Sequence, residues 1–210
     1  MNYSAMLFDL DGVVFDSEQA YTSFWSKEAE RYFPGNSDIA AMIKGTTLEQ
    51  ILNNQFKDVA DQHQHIIDRL VDFENNIDFQ YVEGFLDFVS FYRKQGIKTA
   101  IVTSSSKSKM QHLFNKHKEL RLLIDVLITS EDVSMGKPAP ECYLKAAKEL
   151  RVNPEECIVF EDSFNGLSAA KVANTFVVGL TTSNSQQQLL PYADIIIDNF
   201  SKVDTFLSFV

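Results

Sequence analysis

Only two cysteines, Cys142 and Cys157, occur in the 210 residues, and they do not form a CxxC pair. A disulfide-stapled framework is therefore excluded, and two buried thiols in a reducing compartment are expected. Histidine is sparse too, with only His63, His65, His112 and His117. His63 and His65 stand two apart, a poor spacing for one face of a helix. There is no HExxH and no Cys/His cluster, which disfavours zinc. Positive charge is in deficit: 19 Lys and Arg stand against 29 Asp and Glu, a formal net charge of −10. Phosphate neutralisation along a nucleic acid needs clustered cations, so no nucleic-acid partner is expected. A small anion needs only a few local cations or a metal. No stretch approaches the roughly 20 apolar residues that span a bilayer. The opening Met1-Asn2-Tyr3-Ser4 lacks the basic and apolar regions of a signal peptide. No membrane partner is expected, and the expected location is the cytoplasm.

The chain is 45% hydrophobic and 23% charged, which is ample for a packed core and fits one domain, or one domain with a small insertion. Short apolar runs rich in β-branched and aromatic residues lie at 5–8, 99–102, 157–160 and 175–178, with weaker ones at 126–128 and 195–197. Most are flanked by helix-like stretches. Such alternation predicts an α/β fold, a doubly wound parallel sheet covered on both faces. Helical patterns run over 85–95, ending at Gly96, over 140–150, opening on Pro140, and over 164–173, with Asn174 at the C-terminal cap. From about 17 to 80 no strand pattern occurs. Helical patterns over 18–32, 48–55 and 59–73 instead predict a helical insertion after the first strand.

In a doubly wound sheet, ligands bind beyond the carboxyl ends of the strands. The first strand delivers Asp9 and Asp11, the second Thr103, Ser104 and Ser105, and a later one Glu161 and Asp162; Lys137 lies just before a helix. Clustered carboxylates repel one another unless a cation intervenes. Mg²⁺ suits them, since it takes one or two carboxylates together with phosphate oxygens. Lys137 adds a point charge, and Thr103 with the Ser- and Gly-rich turns adds donors for phosphate. This set favours phosphoryl transfer. Each piece alone has a plainer reading. Asp-x-Asp-Gly is often a turn, Thr-Ser-Ser-Ser a helix cap, Gly-Lys-Pro a loop, and Glu161-Asp162 a helix start that complements the dipole. Their joint occurrence, in order and at strand ends, carries the inference.

Taken together, Phe8-Asp9-Leu10-Asp11-Gly12-Val13, Asp16-Ser17-Glu18, Thr103-Ser104-Ser105, Gly136-Lys137-Pro138-Ala139-Pro140 and Phe160-Glu161-Asp162-Ser163 resemble the haloacid dehalogenase superfamily. The likeness is to its beta-phosphoglucomutase and phosphoglycolate phosphatase branch, and it covers essentially the whole chain. The resemblance implies a core domain over 1–16 and 82–210 with a mobile helical cap over 17–81. It implies that Asp9 attacks phosphorus and that Asp11 protonates the leaving oxygen and then activates water. It implies Mg²⁺ held by the Asp9 side chain, the Asp11 carbonyl and Asp162, with Glu161 in support. Thr103, Ser104 and Lys137 would grip the phosphoryl group, and Lys44-Gly45-Thr46-Thr47 resembles the substrate-facing loop of the cap. The substrate class is a small phosphorylated metabolite such as a sugar phosphate, and a monomer is expected.

Two positions depart from the mutase pattern. Leu48 stands where beta-phosphoglucomutases carry an arginine that grips a second phosphate, and Tyr21 stands where they carry a histidine. A phosphatase is therefore expected, with a phosphosugar mutase as the alternative, because Lys44 can still meet a second phosphate. A receiver-type signalling domain also sets Asp, Thr or Ser and Lys at sheet ends, but its phosphoacceptor lies mid-chain and follows its acidic pair.

Overall fold

The computed structural model describes residues 3–36 and 38–201. Met1 and Asn2 of the opening stretch, Ser37, and positions 202–210 of the expected core lie outside the described residues. Six strands form one sheet: β1 (Ala5–Phe8), β2 (Lys98–Val102), β3 (Val126–Ile128), β4 (Cys157–Glu161), β5 (Phe176–Leu180) and β6 (Ile195–Ile197). Their order is β3-β2-β1-β4-β5-β6 and every neighbouring pair is parallel. The chain reverses its direction of strand addition between β1 and β4, and a binding crevice opens beyond the strand ends at such a switch point.

Ten α-helices occur among the described residues: α1 (Glu18–Tyr32), α2 (Ile39–Met42), α3 (Leu48–Gln55), α4 (His63–Asn76), α5 (Phe85–Lys94), α6 (Lys107–Lys116), α7 (Lys118–Leu123), α8 (Glu141–Leu150), α9 (Phe164–Val172) and α10 (Gln186–Leu189). The predicted stretches 18–32 and 48–55 coincide with α1 and α3. The predicted 59–73 does not coincide with α4. Residues Lys57–Gln62 wind as a tight 3₁₀ segment with a non-helical Val59 (φ −126°, ψ 40°), and the α-helix starts at His63. The short α2 and α10 and the pair α6 and α7 were not foreseen, because none carries a long apolar stripe.

Side chains on the strands alternate between the two faces of the sheet. Met6 and Phe8 face α5, packing with Phe85, Phe88 and Phe200, while Ala5 and Leu7 face α8 and α9, packing with Tyr143, Ala146 and Leu167. Phe8 stacks on Phe160 at 4.8 Å and meets Phe85 edge-on at 5.3 Å, so the centre of the core lies directly beneath Asp9. Helices α1 to α4 build a third cluster of their own around Trp25, Phe56, Ile66 and Leu70. Arg69 makes a two-pronged ion pair with Glu28, at 2.8 and 2.6 Å, which ties α4 to α1. This layer joins the sheet where the chain leaves and returns side by side: the Asp16 amide donates to Gln80 O, and the Val82 amide to Val14 O. No described helix is long and apolar enough to cross a membrane.

Candidate active site

Asp9 follows the last residue of β1, and its amide continues the ladder by donating to Phe160 O at 3.0 Å. It is therefore held in an extended geometry beside the end of β4. Gly12 then turns the chain with φ +80°, where a Cβ would sit 2.1 Å from Asp162 Oδ2. Only glycine allows this close approach, and it brings Asp11 and Asp162 to one crevice. Thr103 occupies the equivalent place after β2, its amide donating to Ile128 O.

Lys137 is the electrostatic hub. It is 1% exposed, and its Nζ lies 2.5 Å from both Asp9 Oδ1 and Glu161 Oε1. It also donates to Val102 O at 3.2 Å. Glu161, fully buried, has both oxygens engaged: Oε1 by Lys137 and the Tyr143 hydroxyl, Oε2 by the amides of Asp162 and Ser163 and by the Ser163 hydroxyl. Removal from water is affordable for these charges only because they are paired and hydrogen-bonded. Gly166 makes room for this knot, since a Cβ there would fall 1.7 Å from Glu161 Oε1. In an open helix, Gly→Ala gains up to about 1 kcal/mol. Here the overlap dominates, and Gly166→Ala is expected to destabilise by about 3 kcal/mol. A urea unfolding curve reads this directly; an unchanged or raised midpoint would contradict the packing.

Asp9, Glu161 and Asp162 each offer a carboxylate oxygen within 4.8 Å of the others, and all three are buried. Burial pushes the Asp9 carboxyl up to about 8, with Lys137 opposing and Glu161 reinforcing. Burial likewise holds Asp162 well above its ordinary value, reinforced by Glu18, Glu161 and Asp9. One lysine does not compensate this concentration of acid. A divalent cation fits the donor set: hard oxygens, converging and short of positive charge.

Asp11 is gripped by three donors that sequence patterns did not single out for that task. Ser17 Oγ donates at 2.6 Å, Ser105 Oγ at 3.2 Å and Lys109 Nζ at 2.6 Å. Lys109 is itself buried and lies 4.4 Å over the Tyr21 ring, whose hydroxyl donates to Glu74 at 2.8 Å. The loop after β5 was missed as well: Ser183 donates to Asp162 Oδ2, Asn184 to Asp162 O, and Thr182 to Gly12 O. A usable sequence signal for Lys109 was its place three residues after Ser106, whose side chain caps α6 by accepting from the Lys109 amide at 3.2 Å.

The helical layer roofs the crevice. Ser104 Oγ donates to Gly45 O at 2.8 Å, Asn165 Nδ2 to Lys44 O at 2.9 Å, and Gln50 Nε2 to Lys137 O at 3.3 Å. A cavity of about 310 Å³ remains beneath it, lined by Asp9, Asp11, Asp162, Thr103, Ser104 and, from the roof, Lys44, Gly45 and Thr46 among others. Thr47 is not in the lining. Its side chain instead forms a capping box with Gln50 at the start of α3. Lys137 lies behind Asp9 rather than on the cavity wall.

A parallel sheet with an acid cluster at its switch point, closed over by inserted helices, defines a hydrolase of the phosphoryl-handling α/β class. The family model for haloacid dehalogenase-like hydrolases matches residues 3–174, and the chain belongs to that family. It is 31% identical over 212 residues to the validoxylamine A 7'-phosphate phosphatase of Streptomyces hygroscopicus subsp. limoneus, with 96% of each covered. It is 28% identical to hexitol phosphatase A of Escherichia coli (strain K12), over 97% of this chain and 94% of that protein. A family IA, variant 3 HAD hydrolase of Entamoeba histolytica HM-1:IMSS superposes with a TM-score of 0.74 at 26% identity, over 95% of this chain and 94% of that one. The beta-phosphoglucomutase of Clostridium difficile also superposes with a TM-score of 0.74, over 99% and 95%, but at 24% identity it shares the fold alone.

Proposed function

We propose that this chain is a magnesium-dependent phosphatase of small phosphate monoesters, working through an aspartyl phosphate on Asp9. The observation that carries this reading is the convergence of Asp9, Asp11, Thr103 and Asp162 on one roofed cavity, with Lys137 behind Asp9. The names of the full-length relatives, both phosphatases, support it.

In the first step the Asp9 carboxylate attacks phosphorus as the ester P–O bond breaks, and Asp11, entering the cycle in its protonated form, donates that proton to the departing alcohol oxygen. In the second, Asp11 takes a proton from water as that water attacks phosphorus. The Asp9–phosphorus linkage then breaks, and inorganic phosphate leaves with Asp9 restored. Thr103 and the Ser104 amide hold the phosphoryl oxygens, Lys137 fixes the Asp9 carboxylate from behind, and Ser17, Ser105 and Lys109 keep Asp11 in line. Mg²⁺, held by Asp9, the Asp11 carbonyl and Asp162, would neutralise charge on the transferring group. Glu161 acts through Lys137, since both of its oxygens are already engaged. The helices over 17–81 serve as a cap that excludes bulk water.

A mutase must hold a second phosphate. Lys44, the roof cation suited to this, is 3.1 Å from Glu18 Oε2 and is thereby neutralised. Hydrolysis is the better reading. Purified protein with Mg²⁺ is expected to release phosphate from an aryl phosphate and from a panel of sugar phosphates, and EDTA should abolish that release. Isomerisation stimulated by a hexose bisphosphate, with little free phosphate, would transfer the assignment to the mutase.

A further inference from the structure

We infer that the alcohol half of the substrate carries no negative charge and presents an apolar face, so that the site takes monophosphates of uncharged alcohols and turns away bisphosphates and phosphorylated carboxylic acids. This rests on the phosphatase reading above and specifies what that site acts on.

The cavity has two unlike sides. Its floor holds the groups assigned to the phosphoryl end. One stretch of its roof is apolar, made by Trp25, Ile43, Leu48, Ile51, Ile67 and Leu70. An alcohol of matching character gains from burial there, whereas an anionic group set against that stretch loses its water.

The charges on the wall point the same way. Two lysines line the cavity, Lys44 and Lys109. Lys44 is paired with Glu18 at 3.1 Å. Lys109 is paired with Asp11 at 2.6 Å and stands 4.0 Å from Glu74. The Tyr21 hydroxyl, a further donor on this wall, is directed to Glu74. Lys44 is thus matched by Glu18, and Lys109 still faces Glu74 when Asp11 carries the proton it gives to the leaving oxygen, so an incoming anion meets Glu18 and Glu74 across a partly dry space. Like charges set together in this way discriminate strongly against the wrong ligand. The phosphoryl end escapes the same penalty because Thr103, the Ser104 amide and the cation site serve it from the floor.

A matched pair of esters tests this. Phenyl phosphate and 4-carboxyphenyl phosphate share ring and reaction, and the carboxylate does not make phenol a poorer leaving group, so the chemistry alone gives phenyl phosphate no advantage. With Mg²⁺, kcat/KM is expected to be about tenfold or more higher for phenyl phosphate, the effect of one like-charge encounter. Glu74→Gln removes one wall charge and is expected to raise kcat/KM for 4-carboxyphenyl phosphate relative to phenyl phosphate by about threefold. Trp25 is the sole tryptophan and lies on the roof, so its fluorescence reports binding without turnover. In the Asp9→Asn protein, phenyl phosphate is expected to bind about tenfold more tightly than its carboxylate analogue. Equal binding, or tighter binding of the carboxylate ester, overturns the inference. A gap that Glu74→Gln leaves unchanged overturns the part given to Glu74. If neither ester is hydrolysed yet the binding preference holds, the phosphatase reading falls and this one stands; hydrolysis of both with no preference gives the reverse.

Discussion

Asp9→Asn is expected to slow phosphate release by about 10⁴-fold or more while the protein stays folded, the size of loss seen when a covalent nucleophile is removed. The amide keeps the shape of the carboxylate but is not a nucleophile. The fold should tolerate the change. Burial works against the Asp9 charge and only Lys137 favours it, so a neutral isostere removes a desolvation cost together with the ion pair. Lys137 retains Glu161 at 2.5 Å as its counter-ion. Initial rates of phosphate release, with a thermal melt of the same sample, separate loss of chemistry from loss of structure. A folded variant within tenfold of the parent rate would remove Asp9 from the mechanism.

Lys137→Met is expected to harm both chemistry and stability. Methionine fills the volume of the stem but leaves Asp9 and Glu161 as neighbouring buried carboxylates without their shared cation. Removing one partner of a buried ion pair costs about 3–5 kcal/mol, because a charge remains uncompensated. The cost should depend on pH in a definite direction. Burial and the Glu161 charge already raise the folded pKa of Asp9, and losing the lysine removes the group that lowers it. A carboxyl raised in this way keeps its proton in the folded chain after the unfolded chain has lost its own. Stability therefore falls as pH rises from the ordinary carboxylate range towards the raised value. Urea unfolding in EDTA should show a larger deficit at pH 8 than at pH 5. A deficit independent of pH would mean that packing, not charge, explains the loss.

Much of this site was legible in the chain because its chemistry sits at the ends of apolar runs. A run such as 5–8 is recognisable locally, and whatever follows it must lie at a strand end. Asp9, Thr103, Glu161 and Asp162 were located in that way. The braces on Asp11 were not legible. Lys109 meets Asp11 across 98 positions of sequence, from a helix whose polar composition resembles any solvated surface. Ser183 reaches Asp162 from a loop with no pattern of its own. The start of α4 was misplaced for a local reason: 3₁₀ and α segments share much the same apolar spacing over one turn, so periodicity does not mark where Lys57–Gln62 ends.

The sequence by itself determined the sheet, the inserted helices and the order in which acids, hydroxyls and lysine arrive, since each depends on neighbours within a few residues. Tertiary structure alone decided how the charges pair. It set Lys137 between Asp9 and Glu161, withdrew Lys44 to Glu18, and gave the roof an apolar face. Pairing is a property of distance and burial, and two carboxylates equally visible in the chain become different groups once only one of them is enclosed with a cation.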